Sequence, residues 1–174
     1  NATVSNTSNV SSGQDVLRFT NVPGTMGNIT GSYSASTGVM SLSSAVNTAT
    51  LAQWQVALRA VQYSNSSDNP STTARTVNFT INDGALNSNA LTSTINITAV
   101  NDAPILSTGS TLNYTENAAA SPINTSITVS DIDNTTLATA TVSITSNFAS
   151  GQDVLSFTNV PGTMGNITGS YSAS

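Results

Sequence analysis

Apolar and polar residues alternate with a period of two through much of the chain. Leu17 and Phe19 share a face, Val39 and Met40 open opposite rows with Ser41 and Leu42, and Val77, Phe79 and Ile81 alternate strictly with polar neighbours. Ile95 and Ile97 follow, and the rhythm returns in Leu112 and Tyr114, in Ile127 and Val129, and in Ala138, Ala140, Val142 and Ile144. Successive side chains of a strand point to opposite faces, so this period predicts strands with one buried face. Pro23-Gly24, Thr37-Gly38, Asp83-Gly84 and Pro161-Gly162 read as turns, glycine supplying positive φ and proline presetting its own. Strands at this spacing predict an all-β fold, an antiparallel sandwich of about seven or eight strands.

One segment breaks the period. From Thr48 to Leu58, the residues Leu51, Trp54 and Leu58 recur at helical spacing behind a threonine able to cap a first turn. The pattern predicts a short helix over about 48–58, running into a strand at Arg59–Tyr63, with Trp54 plugging the core. The alternative for Trp54, a platform for stacking a ligand, fits its apolar helical partners less well.

The sequence also repeats itself. Residues 150–174 reproduce residues 12–36 with one change, Ser156 for Arg18, at an offset of 138 positions. Extended back to residue 139, the 36 overlapping positions differ only where the first copy has residues 1, 6, 10, 11 and 18. A fixed period of this kind marks a tandem array, and a period of 138 residues is long enough to bury a core of its own. On this reading residues 1–100 are the C-terminal part of one repeat and residues 101–174 the N-terminal part of the next. A covalent array and a polymer of subunits that lend each other strands both accommodate the pattern. The array leaves no strand duplicated and is the simpler of the two.

Composition narrows the partners. Charged residues are 6% of the chain, against about a quarter in ordinary soluble domains, and eight carboxylates face three arginines, Arg18, Arg59 and Arg75. A nucleic-acid partner needs a basic face that this chain cannot supply. Cysteine, histidine and lysine are absent, which excludes a disulfide framework and thiolate metal sites. With no histidine or lysine to act as a base, serine nucleophiles lack a partner, so no enzyme activity is expected. No run of about 20 apolar residues predicts membrane insertion.

Between the two parts runs Val100-Asn101-Asp102-Ala103-Pro104, where Pro104 holds Ala103 extended and forbids a helix. With Tyr114-Thr115-Glu116-Asn117, Val129-Ser130-Asp131-Ile132-Asp133-Asn134, Gly151-Gln152-Asp153-Val154-Leu155, Thr37-Gly38-Val39, Ala57-Leu58-Arg59-Ala60-Val61-Gln62-Tyr63 and Asn82-Asp83-Gly84, it resembles the bacterial cadherin-like tandem repeats of giant surface and adhesin-type proteins. The resemblance covers essentially the whole chain. It implies an immunoglobulin-like sandwich strung in series outside the cell, serving adhesion or matrix building.

The resemblance also implies calcium. The matching ligands are Asn101 and Asp102 in the linker, Asp131 and Asp133 in the following domain, and Glu116 for the junction after that one. The sequence departs from the cadherin pattern at Ala99 and Val100, where an aspartate is expected before the asparagine, and it lacks a second acidic motif. Calcium takes six to eight oxygens, several of them carboxylates, so one or two weakly bound ions are expected. The other reading of Asp131 and Asp133 is an Asx turn that uses the carboxylates on backbone N–H groups.

The leading functional expectation is a structural repeat of an extracellular fibre or giant adhesin, a calcium-stiffened stalk whose partners are neighbouring identical repeats. A self-assembling filament subunit is one alternative. A module binding glycans or a surface through outward threonines such as Thr92, Thr94 and Thr98 is another, although outward threonine is also ordinary strand chemistry.

Overall fold

The computed structural model describes residues 1–172; Ala173 and Ser174, the end of the repeated stretch, lie outside them. The chain divides into two compact units, Asn1–Ala103 and Pro104 onward. It is mostly β, with antiparallel sheets and few helices.

Unit 1 begins with β1 (Ala2–Ser8) and β2 (Asp15–Arg18), then a single helical turn α1 (Pro23–Met26). β3 (Ile29–Ser34), β4 (Val39–Ser44), α2 (Leu51–Arg59), β5 (Gln62–Asn65), β6 (Arg75–Ile81) and β7 (Leu91–Ile95) follow. Five strands form one sheet in the order β3-β4-β1-β6-β7, while β2 and β5 form a separate antiparallel ladder. β1 therefore lies in the middle, with Val4 opposite Met40 on one side and Phe79 on the other.

The period-two pattern decides what is buried. Ala2, Val4 and Asn6 of β1 are buried while Thr3 and Thr7 are exposed, and Met40 and Leu42 of β4 and Val77 of β6 join the same side. Ile29 of β3, Leu17 of β2, Met26 of α1 and Trp54 and Ala57 of α2 complete one cluster, with Phe19, Tyr33 and Tyr63 packed against it. The outward row is polar: Thr3 Oγ1 lies 2.6 Å from Thr80 Oγ1, and Thr30 Oγ1 3.2 Å from Ser43 Oγ.

The helix starts later and packs differently than its pattern predicts. α2 opens at Leu51 behind Thr50, whose Oγ1 accepts from the Gln53 N–H at 3.2 Å while Gln53 Oε1 accepts from the Thr50 N–H at 2.8 Å. This reciprocal pair satisfies two donors that a helix start leaves open, so Thr50 and not Thr48 sets the boundary. Trp54 and Ala57 face the core, and Trp54 is a core residue with no open face for stacking a ligand. Leu51, expected on the same face, is 88% exposed: it occupies the first turn, before the helix reaches the cluster. The helix also runs through Arg59, so the strand expected at Arg59–Tyr63 begins at Gln62 instead.

Pro23-Gly24 and Pro161-Gly162 are not turns. Each proline opens a four-residue helix, Pro23–Met26 and α3 (Pro161–Met164), because proline's fixed φ suits the first helical position, where no amide hydrogen is needed. The turn glycines Gly38 and Gly84 do take positive φ, +69° and +108°.

Unit 2 holds one two-stranded ladder, β8 (Ile105–Ser107) with β9 (Thr128–Ser130). The strands that the alternation predicts around Leu112–Tyr114 and Ala138–Ile144 do not form. A two-stranded ladder is marginal by itself and offers little surface on which further strands could bury a face.

Candidate functional site

The acidic positions expected to hold calcium fall in both units. Asn101 and Asp102 end unit 1, and the Asn101 side-chain amide donates to the Asp102 carbonyl at 2.8 Å. Glu116, Asp131 and Asp133 belong to unit 2. Glu116 is exposed in a turn closed by Ala118 N–H on the Thr115 carbonyl at 3.1 Å.

Asp131 and Asp133 are brought together just after β9. Asp131 Oδ1 accepts from the Asp133 N–H at 3.1 Å and the Asn134 N–H at 2.8 Å, while the Asn134 amide donates to Asp133 Oδ1 at 2.9 Å. This is an Asx turn. The Asp133 side chain beside it, then the Asn134 and Asp133 backbone N–H groups, hold the Asp131 carboxyl below the usual carboxylate range, outweighing its desolvation. Its other oxygen, Oδ2, is buried without a hydrogen-bond partner. A buried, unpartnered carboxylate oxygen beside a second carboxylate is chemically suited to a hard cation. Two acids supply only part of the coordination, and among the described residues no group of three or more acidic, histidine or cysteine side chains gathers in one place.

The most developed polar arrangement is one that sequence reasoning missed. Asp15, on β2, is 2% exposed, and Arg75, at the start of β6, is fully buried. Arg75 Nε lies 3.2 Å from Asp15 Oδ2, which also accepts from the Ser11 N–H at 2.7 Å. Asp15 Oδ1 accepts from the Tyr63 hydroxyl and from the Asn65 amide, the latter at 2.6 Å. Arg75 Nη1 donates to the Ser71 carbonyl at 2.6 Å and to the Thr73 carbonyl. Tyr33, on the five-stranded sheet, donates its hydroxyl to the Asp15 carbonyl at 2.8 Å, so one aspartate ties both sheets of the unit together.

Burial pushes the Asp15 carboxyl up, but the bonds from Tyr63, Ser11, Asn65 and Arg75 outweigh it and hold it below the usual range. Tyr63 moves the other way, raised first by burial and then by its bond to Asp15. Every partner stabilises the ionised aspartate, and the network braces the two sheets of the unit. Its signal in the sequence was the scarcity of arginine: one of three sits in the inward row of a predicted strand, where it needs an acid.

The threonines weighed as a binding face lie at the sheet edge. Thr92 and Thr94 are exposed on β7, opposite Asn78 and Thr76, and Thr98 lies past its end. Among the described residues no helix is long and apolar enough to cross a membrane. The chain matches no family model, no curated protein and no solved structure.

Proposed function

We propose that this chain is a stretch of an extracellular fibre or giant adhesin built from tandem immunoglobulin-like repeats of 138 residues, a stalk whose links calcium stiffens. The observation that carries this reading is the sequence repeat, with 36 overlapping positions differing at five. Tandem copying of one module produces such identity. The polar, weakly charged outward face of the five-stranded sheet suits a spacer that meets water along its length.

In this reading Asp131 and Asp133 hold the ion, backbone carbonyls and water complete the shell, and Asn101, Asp102 and Glu116 are the further ligands that the resemblance implies. The ion's contribution is mechanical: it ties the acids of the turn into one coordination shell.

The test is a thermal melt of two consecutive 138-residue periods in excess calcium and in chelator, beside the Asp131→Asn, Asp133→Asn double variant. Binding to the folded state alone stabilises by about 4 kcal/mol at a thousandfold excess over Kd. A calcium-dependent rise in Tm that the variant loses supports the ion site. Identical melts reduce the reading to a metal-free spacer. A solution-scattering length that does not grow in proportion to the number of periods removes the stalk itself.

A further inference from the structure

We infer that residues 140–158 of one copy of this chain take the seat of residues 2–20 in a second copy when the chain folds at high concentration, joining copies head to tail by strand exchange. The inference rests on the duplicated sequence and on the resident strand's contacts.

The seat is well defined. Ala2, Val4 and Asn6 face the core from the middle of the five-stranded sheet, paired with β4 on one side and β6 on the other, and residues 15–18 pair with β5. Residues 140–158 carry the same side chains except at four positions: Ile144 for Asn6, Phe148 for Val10, Ala149 for Ser11 and Ser156 for Arg18.

Each difference can be weighed against what the seat offers. Asn6 is 6% exposed and its Oδ1 is buried without a hydrogen-bond partner. An isoleucine there carries no polar atom to leave unpaired and extends the inward apolar row that Ala2 and Val4 begin. Val10 and Arg18 are exposed, so phenylalanine and serine meet little constraint. Ala149 gives up only a 3.4 Å contact from Arg75 Nη2 to Ser11 Oγ. The bond that Ser11 makes through its backbone N–H is already formed in the second copy, where Ala149 N–H meets Asp153 Oδ2 at 2.8 Å. Asp153 then brings the carboxylate that Arg75 requires. At these four positions the incoming strand gives up one hydroxyl contact and removes one unpaired buried oxygen.

The donor has everything to gain. Val142 is 71% exposed and residues 140–146 belong to no strand. Residues 140–158 carry a single charge, Asp153, whose seat contains Arg75, so like-charge repulsion does not oppose entry. A chain that holds one element twice can lend the second copy of it to a neighbour and receive one from the next. Such a contact is head-to-tail, and it forms rings where its rotation closes and open chains where it does not. Because β1 is a middle strand, the resident leaves only when unit 1 opens, so exchange belongs to folding and not to the folded state.

The chain contains no cysteine, which allows a direct test in the full 174-residue chain. Thr3 and Thr80 face each other on the outward side at 2.6 Å, so Thr141 in the seat would face Thr80. The Thr141→Cys and Thr80→Cys chains are unfolded, mixed, refolded together at high concentration and oxidised, and disulfide-linked dimers are measured on a non-reducing gel. The expected result is several-fold more dimer than from Thr141→Cys with Thr76→Cys, four positions out of register. Adding Asn6→Ile to the accepting chain removes the orphaned amide from the resident strand and lowers the yield about tenfold, as does Ile144→Asn in the donor. Equal yields in and out of register, or a yield indifferent to Asn6→Ile, reduce the association to apolar stickiness and overturn the proposal.

Discussion

The same 25-residue sequence, with one substitution, occurs at residues 12–36 and 150–174 in different surroundings, and the comparison separates what a segment specifies alone from what it needs others to specify. In both copies a proline opens a one-turn helix. An asparagine, Asn21 or Asn159, brackets that helix by donating to a glycine carbonyl, Gly27 at 3.0 Å or Gly165 at 3.1 Å, and to an isoleucine carbonyl. The hydroxyls of Tyr33 and Tyr171 each reach the carbonyl of Asp15 or Asp153 at 2.8 Å. Phe19 and Phe157 lie over Gly31 and Gly169, so closely that an added Cβ would come within 2.7 and 2.6 Å of the ring. These local features repeat faithfully. The strands do not: Ile29 is fully buried and Ile167 is 57% exposed. β4, β5 and β6 bury the first copy's apolar rows, and the positions 138 residues beyond those strands lie outside this sequence.

The largest effect that sharpens the contrast is at the aspartates. Asp15→Ala leaves Arg75 buried without its counter-charge and should cost about 3–5 kcal/mol, whereas Asp153→Ala, whose acid meets only a local backbone N–H, should stay within about 1 kcal/mol. Urea unfolding of both variants measures the difference, and equal losses would break the comparison. The same acid sets a pH dependence. The Asp15 carboxyl is depressed in the folded state, so its contribution is present above the unfolded value of about 3.9 and is lost as pH falls through the lower folded value. The neutral Tyr63 phenol, raised in the folded state, contributes below its unfolded value of about 10 and loses that contribution as pH rises through the higher folded one. Stability should therefore fall below about pH 4, and Asp15→Asn should flatten that acid slope.

A second pair of variants tests burial. Ile29→Ala opens a cavity in the core and should cost about 2–5 kcal/mol, while Ile167→Ala, largely exposed, should cost less than about 0.5 kcal/mol. A comparable loss at both sites would mean that the second copy is packed in solution. The smallest expected effect is at the cap. Thr50→Ala removes one half of the reciprocal pair and should cost about 1 kcal/mol, with the loss of helical signal confined to Leu51–Arg59 and the Asn21 bracket of α1 unchanged, read by amide chemical shifts.

The alternation of apolar and polar residues announced β4 and β6, because period-two burial needs only a core on one side. It missed the middle strand: Ala2, Val4 and Asn6 do not read as an apolar row, although the matching Ala140, Val142 and Ile144 do. The Asp131–Asn134 turn was legible because its bonds close within a few residues. The Asp15–Arg75 network was not, since its members stand 60 positions apart and are ordinary surface residues until folding removes their water.

The sequence by itself determined the 138-residue period, the turns at Gly38 and Gly84, the helical stretch around Trp54, the Asx turn and the inward and outward sides of several strands. These rest on backbone preferences and hydrogen bonds between near neighbours. The tertiary structure alone decided which copy of the repeated stretch becomes sheet, where α2 meets the core and which arginine is paired. Pairing a strand and burying a charge both require a partner from a distant part of the chain, and only the folded chain supplies it.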